Sequence, residues 1–216
     1  MKALSTLWWG FYRKYLNGPI VKDGQSKSDH SSPRGLRRPL GRSDGLFCSS
    51  RLITQLDSKN RLVWRRAVLF CVSGAGAGYF PRLPGTIGTL VAVPFSIAVN
   101  RIAGEQFPLA VGIVIVSVLG AIWLSSRGAE ILSQKDPQII VIDEIVGFMV
   151  GNFLAPLRWT TLFWSFLLFR FFDITKLFPI NRFEQLPGGA GIVLDDVMAG
   201  CYTFFCLRLL LYFGWV

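Results

Sequence analysis

The chain has 216 residues, 51% of them hydrophobic and 17% charged, with a mean hydropathy of +0.44 and a formal net charge of +10. Soluble domains carry nearer a quarter charged residues, so this composition points to the bilayer and away from a water-soluble protein. Residues 1–66 hold 14 Lys/Arg against 4 Asp/Glu, while residues 67–216 hold 9 of each, so the basicity belongs to a tail. Ahead of so much apolar sequence, that tail reads as a juxtamembrane segment held in the cytoplasm and drawn to anionic lipid, not as a nucleic-acid-binding arm.

Residues 1–62 form a basic N-terminal extension rich in Ser, Arg, Gly and Pro. The stretch Lys22–Ser50 lacks apolar periodicity and is expected to be disordered. Trp8, Trp9, Phe11, Tyr12 and Tyr15, interleaved with Arg13 and Lys14, fit a short interfacial helix. The same Arg- and Ser-rich composition also fits an organelle transit peptide, or a reading frame that opens upstream of the true start. Cys48, Cys71, Cys201 and Cys206 show no metal-ligand spacing and call for no oxidising compartment.

A second domain, 63–216, is a series of punctuated apolar runs. Ala67–Phe80, with Gly74, Gly76 and Gly78, is too short and glycine-rich to cross a bilayer and is expected to be re-entrant or interfacial. Five candidate spans follow: Thr86–Ile102, Phe107–Ser126, Ile139–Pro156, Trp159–Ile180 and Val197–Val216. A span needs roughly 20 apolar residues. Phe107–Ser126 meets this with no charge; others are shorter or carry charges, as in segments lining a protein-enclosed polar cavity. The expected architecture is all-α, a polytopic membrane bundle of about five spanning helices plus the short N-terminal segment.

With the tail inside, alternating these segments brings the Pro84-Gly85-Thr86 turn, Asp143, Glu144, Asp173, Lys176, Asp195 and Asp196 to the cytoplasmic face. Each group also has a structural explanation. Asp195-Asp196 fits an N-cap followed by a first-turn acid. Arg170, Asp173 and Lys176, at i, i+3 and i+6, fit a self-neutralising ladder along one helix. Asp143-Glu144 is harder to explain so, because a charge at mid-helix costs at least ~2.5–3.5 kcal/mol on insertion scales.

Clustered carboxylates suit Mg²⁺, which is held by one or two of them with water and substrate phosphate completing its shell. Such an ion lowers the pKa of water and neutralises charge on phosphoryl oxygens. Lys176, Arg82 and Arg170 would offset phosphate charge, and backbone N–H groups at Gly85–Gly88, opening a helix, would hold a phosphate oxygen. Gly74–Gly78 matches a dinucleotide fingerprint only superficially, with no βαβ unit around it. There is no Cys followed five residues on by Arg, and the lone His30 lies in the tail, so thiol and histidine nucleophiles are disfavoured. An ion-coupled transporter would use the same charges but should spread them through the membrane depth and show a repeat. A non-catalytic scaffold would not need five acids at one face.

Four motifs in order carry a resemblance. They are Gly76-Ala77-Gly78-Tyr79-Phe80-Pro81-Arg82-Leu83-Pro84-Gly85-Thr86-Ile87-Gly88-Thr89-Leu90, Ile142-Asp143-Glu144-Ile145-Val146-Gly147, Phe169-Arg170-Phe171-Phe172-Asp173-Ile174-Thr175-Lys176, and Gly188 through Gly200. Together they resemble the phosphatidylglycerophosphatase A family over residues 69–213. The resemblance implies a bacterial inner-membrane enzyme, its site facing the cytoplasm, that removes the terminal phosphate of phosphatidylglycerophosphate with Mg²⁺. The family's acidic and Pro-Gly-Thr positions map onto Asp143, Glu144, Asp173, Asp195, Asp196 and Pro84-Gly85-Thr86, and the five acids are the expected catalytic residues. Asp143, Glu144 and Asp196 are assigned to metal, and Arg82, Gly85, Thr86, Arg170 and Lys176 to substrate. The family usually has Lys-Pro where this chain has Lys176-Leu177, and a His-Asp segment where this chain has Lys135-Asp136-Pro137. Residues 1–62 have no counterpart in it.

Overall fold

The computed structural model describes residues 60–134, 137–183 and 185–216. The expected disorder, interfacial helix and lipid contact of the tail fall on residues 1–59, outside the described residues. The chain forms two units that divide between Arg66 and Ala67. A helical stretch covers residues 60–72, and the other helices belong to Ala67–Val216.

This unit is all-helical among the described residues. Helix α1 (Pro84–Glu105) opens with proline at its first turn, where the missing N–H costs nothing. Helix α2 (Phe107–Leu132) follows after the single residue Gln106, whose N–H donates to the Ile102 carbonyl at 2.6 Å and whose carbonyl accepts from Ala110 at 3.1 Å. Next come α3 (Ile142–Gly151), α4 (Trp159–Thr175), the one-turn α5 (Ile180–Phe183) and α6 (Gly189–Tyr212).

Three helices, α1, α2 and α6, are long and apolar enough to cross a membrane. The expected span Ile139–Pro156 is instead a helix of 10 residues, about 15 Å long against a hydrocarbon core of about 30 Å. The expected Trp159–Ile180 divides into α4 and α5. The last helix begins at Gly189, eight residues before the expected Val197, because its glycines seat it against α2. A Cβ at Gly189 would strike the Ile122 carbonyl, and the Gly189 N–H is held by Ser126 Oγ at 2.9 Å.

Short α3 is the centre of the unit. Phe148 packs with Ala92, Phe169, Phe172 and Ala199, Met149 with Val99, Ala103 and Ala110, and Val146 with Ala121 and Val193. Beyond its acidic first turn it is therefore enclosed by α1, α2, α4 and α6, as a helix segment apolar on every side requires. Its approach to α6 is backbone on backbone. A Cβ at Gly147 would lie 2.7 Å from the Asp196 carbonyl, and one at Gly200 would strike the Gly147 carbonyl. Gly151 meets Thr203 one turn further on, so the two helices run parallel. Small residues allow this close crossing in an apolar medium, where van der Waals contact replaces the hydrophobic effect.

A helix that stops half-way across a membrane leaves carbonyls without water. Here they are met by side chains. Asn100 Nδ2 donates to the Asn152 carbonyl at 2.8 Å, and Asn100 Oδ1 accepts from the Leu154 N–H at 2.7 Å. Asn152 Nδ2 donates to Ser96 Oγ at 2.7 Å, and Arg208 Nη2 to the Phe153 carbonyl at 2.6 Å. Exposed Trp159, Tyr212 and Trp215 sit at the start of α4 and the end of α6, as aromatic side chains do at a membrane interface.

Asn100→Leu strips two backbone groups of their partners in one step. It is expected to destabilise the protein by about 2 kcal/mol or more, read as a lowered thermal midpoint in detergent. An unchanged midpoint would show that this network does not hold the end of α3.

Candidate active site

The starts of α1, α3 and α6 and the end of α4 surround a cavity of about 470 Å³. Of the ten residues singled out in the sequence, nine line it: Arg82, Gly85, Asp143, Glu144, Arg170, Asp173, Lys176, Asp195 and Asp196. Thr86 sits on the first turn of α1 but is not part of the lining. The Ile87 N–H already donates to the Leu83 carbonyl at 3.2 Å, so of the amides expected to meet phosphate, only those of Gly85 and Thr86 precede the first intrahelical bond.

Register explains why the acids meet. Asp143 lies one helical turn before Gly147, and Asp196 one turn before Gly200, so the close crossing of α3 and α6 carries both carboxylates to the same wall. Both are buried, at 9% and 5% exposure. In each acidic pair the first carboxylate accepts the next residue's N–H: Asp143 Oδ1 from Glu144 at 3.0 Å, and Asp195 Oδ1 from Asp196 at 3.1 Å. The capping explanation for Asp195-Asp196 fails. The N-cap of α6 is Gly188, and the two acids lie in its second turn.

The cations cross-link the helices. Arg170 Nη1 reaches Asp173 Oδ2 at 2.6 Å on its own helix and Glu144 Oε1 at 3.3 Å on α3. Lys176 ends α4 in the left-handed conformation (φ 42°), and its Nζ reaches Asp195 Oδ2 on α6 at 3.0 Å. The ladder expected along α4 is thus present between Arg170 and Asp173, while the other pairs join different helices. Asp196, by contrast, forms no side-chain hydrogen bond or ion pair among the described residues. Neither does Arg82, at the exposed cavity rim.

Glu144 occupies a slot made by two glycines of α1. A Cβ at Gly85 would strike Glu144 Oε1 and lie 2.8 Å from Arg170 Nη1, while a Cβ at Gly88 would strike Glu144 Oε2. Glu144 Oε2 is buried there with no hydrogen-bond partner among the described residues. Gln138 and Gly191 also line the cavity. Gly191 lies four residues before Asp195 and so shares its face, a signal hidden as long as Gly188–Gly191 read as a loop. Gln138 carried no sequence signal.

The donor set can be tested against the expected Mg²⁺. Among the described residues, no three His, Cys, Asp or Glu side chains converge to cage an ion. Mg²⁺ seldom uses such a cage and is usually bound through one or two carboxylates, with water and phosphate completing its shell. Among the described residues, five acids and three cations line the cavity, a balance of charge that suits a divalent ion. Asp143 and Asp196 on adjoining helices fit that role. Glu144, turned to Arg170 and the glycine slot, fits a bracing one.

The family model for phosphatidylglycerophosphatase A matches residues 70–211. The chain belongs to the phosphatidylglycerophosphatase A family. A phosphatidylglycerophosphatase A of Escherichia coli K12 is 30% identical over 145 residues, 66% of this chain and 83% of the relative. The Haemophilus influenzae protein of the same name is 36% identical over 132 residues, 60% and 80% of the two chains. A Bacteroides thetaiotaomicron protein with the provisional name phosphatidylinositol-3-phosphatase is 34% identical over 140 residues, 61% and 86%. No solved structure matches. As a member of this family the chain is a phosphatase, and its long apolar helices make it a membrane protein.

Gly85→Ala places a methyl group against Glu144 and Arg170. Phosphatase activity is expected to fall by about tenfold or more, because small displacements of positioning groups are costly. The thermal midpoint should move little, since alanine favours the helix by roughly 0.5–1 kcal/mol. Full activity in this variant would show that the slot does not position the site.

Proposed function

We propose that the protein hydrolyses the terminal phosphate of phosphatidylglycerophosphate in a Mg²⁺-dependent reaction, giving phosphatidylglycerol in phospholipid biosynthesis. In this reading the cavity opens to the cytoplasmic side of a bacterial inner membrane. The observation that carries the proposal is the buried Asp196 carboxylate, without a hydrogen bond or ion pair among the described residues, beside Asp143 in a cavity where Glu144, Asp173 and Asp195 are each ion-paired.

Asp143 and Asp196 would hold Mg²⁺, which when bound supplies positive charge to phosphoryl oxygens and lowers the pKa of water. Arg170 keeps Glu144 and Asp173 in place, and Lys176 keeps Asp195 in place. The same two cations offset charge gathering on the phosphoryl group. Around them the apolar packing of α3 excludes bulk water, which strengthens each of these interactions.

Phosphate release from phosphatidylglycerophosphate by the purified protein is expected to require Mg²⁺ and to stop with EDTA. Asp196→Asn and Asp143→Asn, which keep shape and remove charge, should each lower kcat/KM by about a hundredfold or more, given the several kcal/mol a divalent ion contributes. Retained activity in either variant, or indifference to EDTA, would remove the metal assignment. The name of the Bacteroides relative favours a second substrate, phosphatidylinositol 3-phosphate, to be assayed alongside.

A further inference from the structure

The two substrates raised above look unlike, one with a glycerol headgroup and one with an inositol ring. Their phosphates are nevertheless arranged alike. In phosphatidylglycerophosphate, three successive carbons carry the phosphodiester to the lipid, a hydroxyl, and the phosphomonoester. In phosphatidylinositol 3-phosphate, three successive ring carbons carry the same groups in the same order. The group that leaves as phosphate and the group that ties the headgroup to the membrane are separated by one hydroxyl-bearing carbon in both.

The cavity has a matching division. Its floor holds the buried acids Asp143 and Asp196 and the two engaged cations, Arg170 and Lys176. At its rim stands Arg82, exposed and without a carboxylate partner among the described residues. Arg82 precedes Gly85 by three residues. Gly85 is the point where the α1 backbone touches Glu144 and Arg170 at the floor. Three residues of chain span at most about 11 Å, so an arginine there stands within one headgroup of the floor. A guanidinium takes a phosphodiester through two parallel N–H donors. At about 470 Å³ the cavity is within the roughly 300–1,000 Å³ of small-molecule sites, and it has room for a ring as well as a glycerol.

We infer that Arg82 is a specificity-determining residue that binds the lipid's phosphodiester, and that the enzyme's substrate class is phospholipids bearing a phosphomonoester one carbon beyond that diester's neighbour, whether on glycerol or inositol. This rests on the function proposed above and extends it from one substrate to a rule. Reaction at the floor is hydrolysis in each case. Water adds to phosphorus as the bond between phosphorus and the headgroup oxygen breaks, one water proton ends on the alcohol, and the other stays with inorganic phosphate. The diester is untouched and serves as the handle.

The test compares four lipids in mixed micelles with full-length protein and Mg²⁺: phosphatidylglycerophosphate, phosphatidylinositol 3-phosphate, phosphatidylinositol 4-phosphate, and phosphatidate, which has a monoester and no diester. The first two are expected to agree in kcat/KM within about tenfold. The last two should fall roughly a hundredfold or more below them, since a polar site rejects analogues that leave its groups unpaired. Arg82→Ala should raise KM for the first two by about tenfold or more with little change in kcat, a loss of uniform binding. Arg82→Lys should recover part of that loss, and the penalty on phosphatidate should be several-fold smaller. Equal turnover of the 4-phosphate or of phosphatidate, or an equal Arg82→Ala penalty on all four lipids, would overturn the rule and leave the proposed function standing. Absence of phosphatidylglycerophosphate hydrolysis would overturn both.

Discussion

Where the backbones of α3 and α6 touch at Gly147 and Gly200, the gap is too small for a methyl group on either side. That contact fixes the parallel register of the two helices, and the register places Asp143 and Asp196 together one turn earlier. It also explains how a helix of 10 residues can serve as the centre of a membrane protein. Helix α3 is held by contact on every side, and its length matters less than its enclosure. Any change that separates these two backbones would act on folding and on the site at once, since the same residues govern both.

Charge compensation follows from this placement. Carboxylates buried in an apolar helical bundle must be matched within the protein, because an unpaired buried charge is far more destabilising than a pair. Arg170 matches two of them across two helices, and Lys176 matches a third. On the α3–α6 wall, Asp196 has no side-chain hydrogen bond or ion pair among the described residues. An arrangement that satisfied every acid would be a structural ion-pair network. Here three of the five acids are paired across or along the helices, and Asp196 stands apart from that network among the described residues.

Depth separates a phosphatase from a transport path. Asp173 lies fourteen residues beyond Trp159, about 21 Å along α4, and Asp196 lies sixteen before Tyr212, about 24 Å along α6. Both distances are shorter than a hydrocarbon core of about 30 Å, so the site acids lie within one membrane thickness of those exposed aromatic residues. Beneath the cavity floor the bundle is closed by Phe148 and Phe169, both fully buried and meeting edge to face at 5.9 Å. Further on, Asn100 and Arg208 donate to the carbonyls at the end of α3, and Asn152 donates to Ser96. Polar groups therefore exist at two depths with an aromatic plug between them. A carrier needs a route through, whereas a site acting on a headgroup needs access from one side.

The acids were legible in the sequence because a charge in an apolar run has so few innocent explanations. Their convergence followed from simple alternation of the segments. The starts and lengths of the helices were harder, for a definite reason. Gly188-Gly189-Ala190-Gly191 has the local preferences of a loop, yet it folds as the first turn of α6 because only glycine permits Gly189 to meet the Ile122 carbonyl. Ile139–Pro156 has the hydropathy of a span, yet it ends after ten residues because Asn100 and Arg208, distant in sequence, supply the hydrogen bonds that make stopping affordable. In both cases a long-range contact overrode a local preference. Arg170 shows the same limit within the site. Spacing alone paired it with Asp173, and only the approach of α3 makes it the link between Glu144 and α4, which is why the residue most exposed to misreading is the one that joins three of the site's walls.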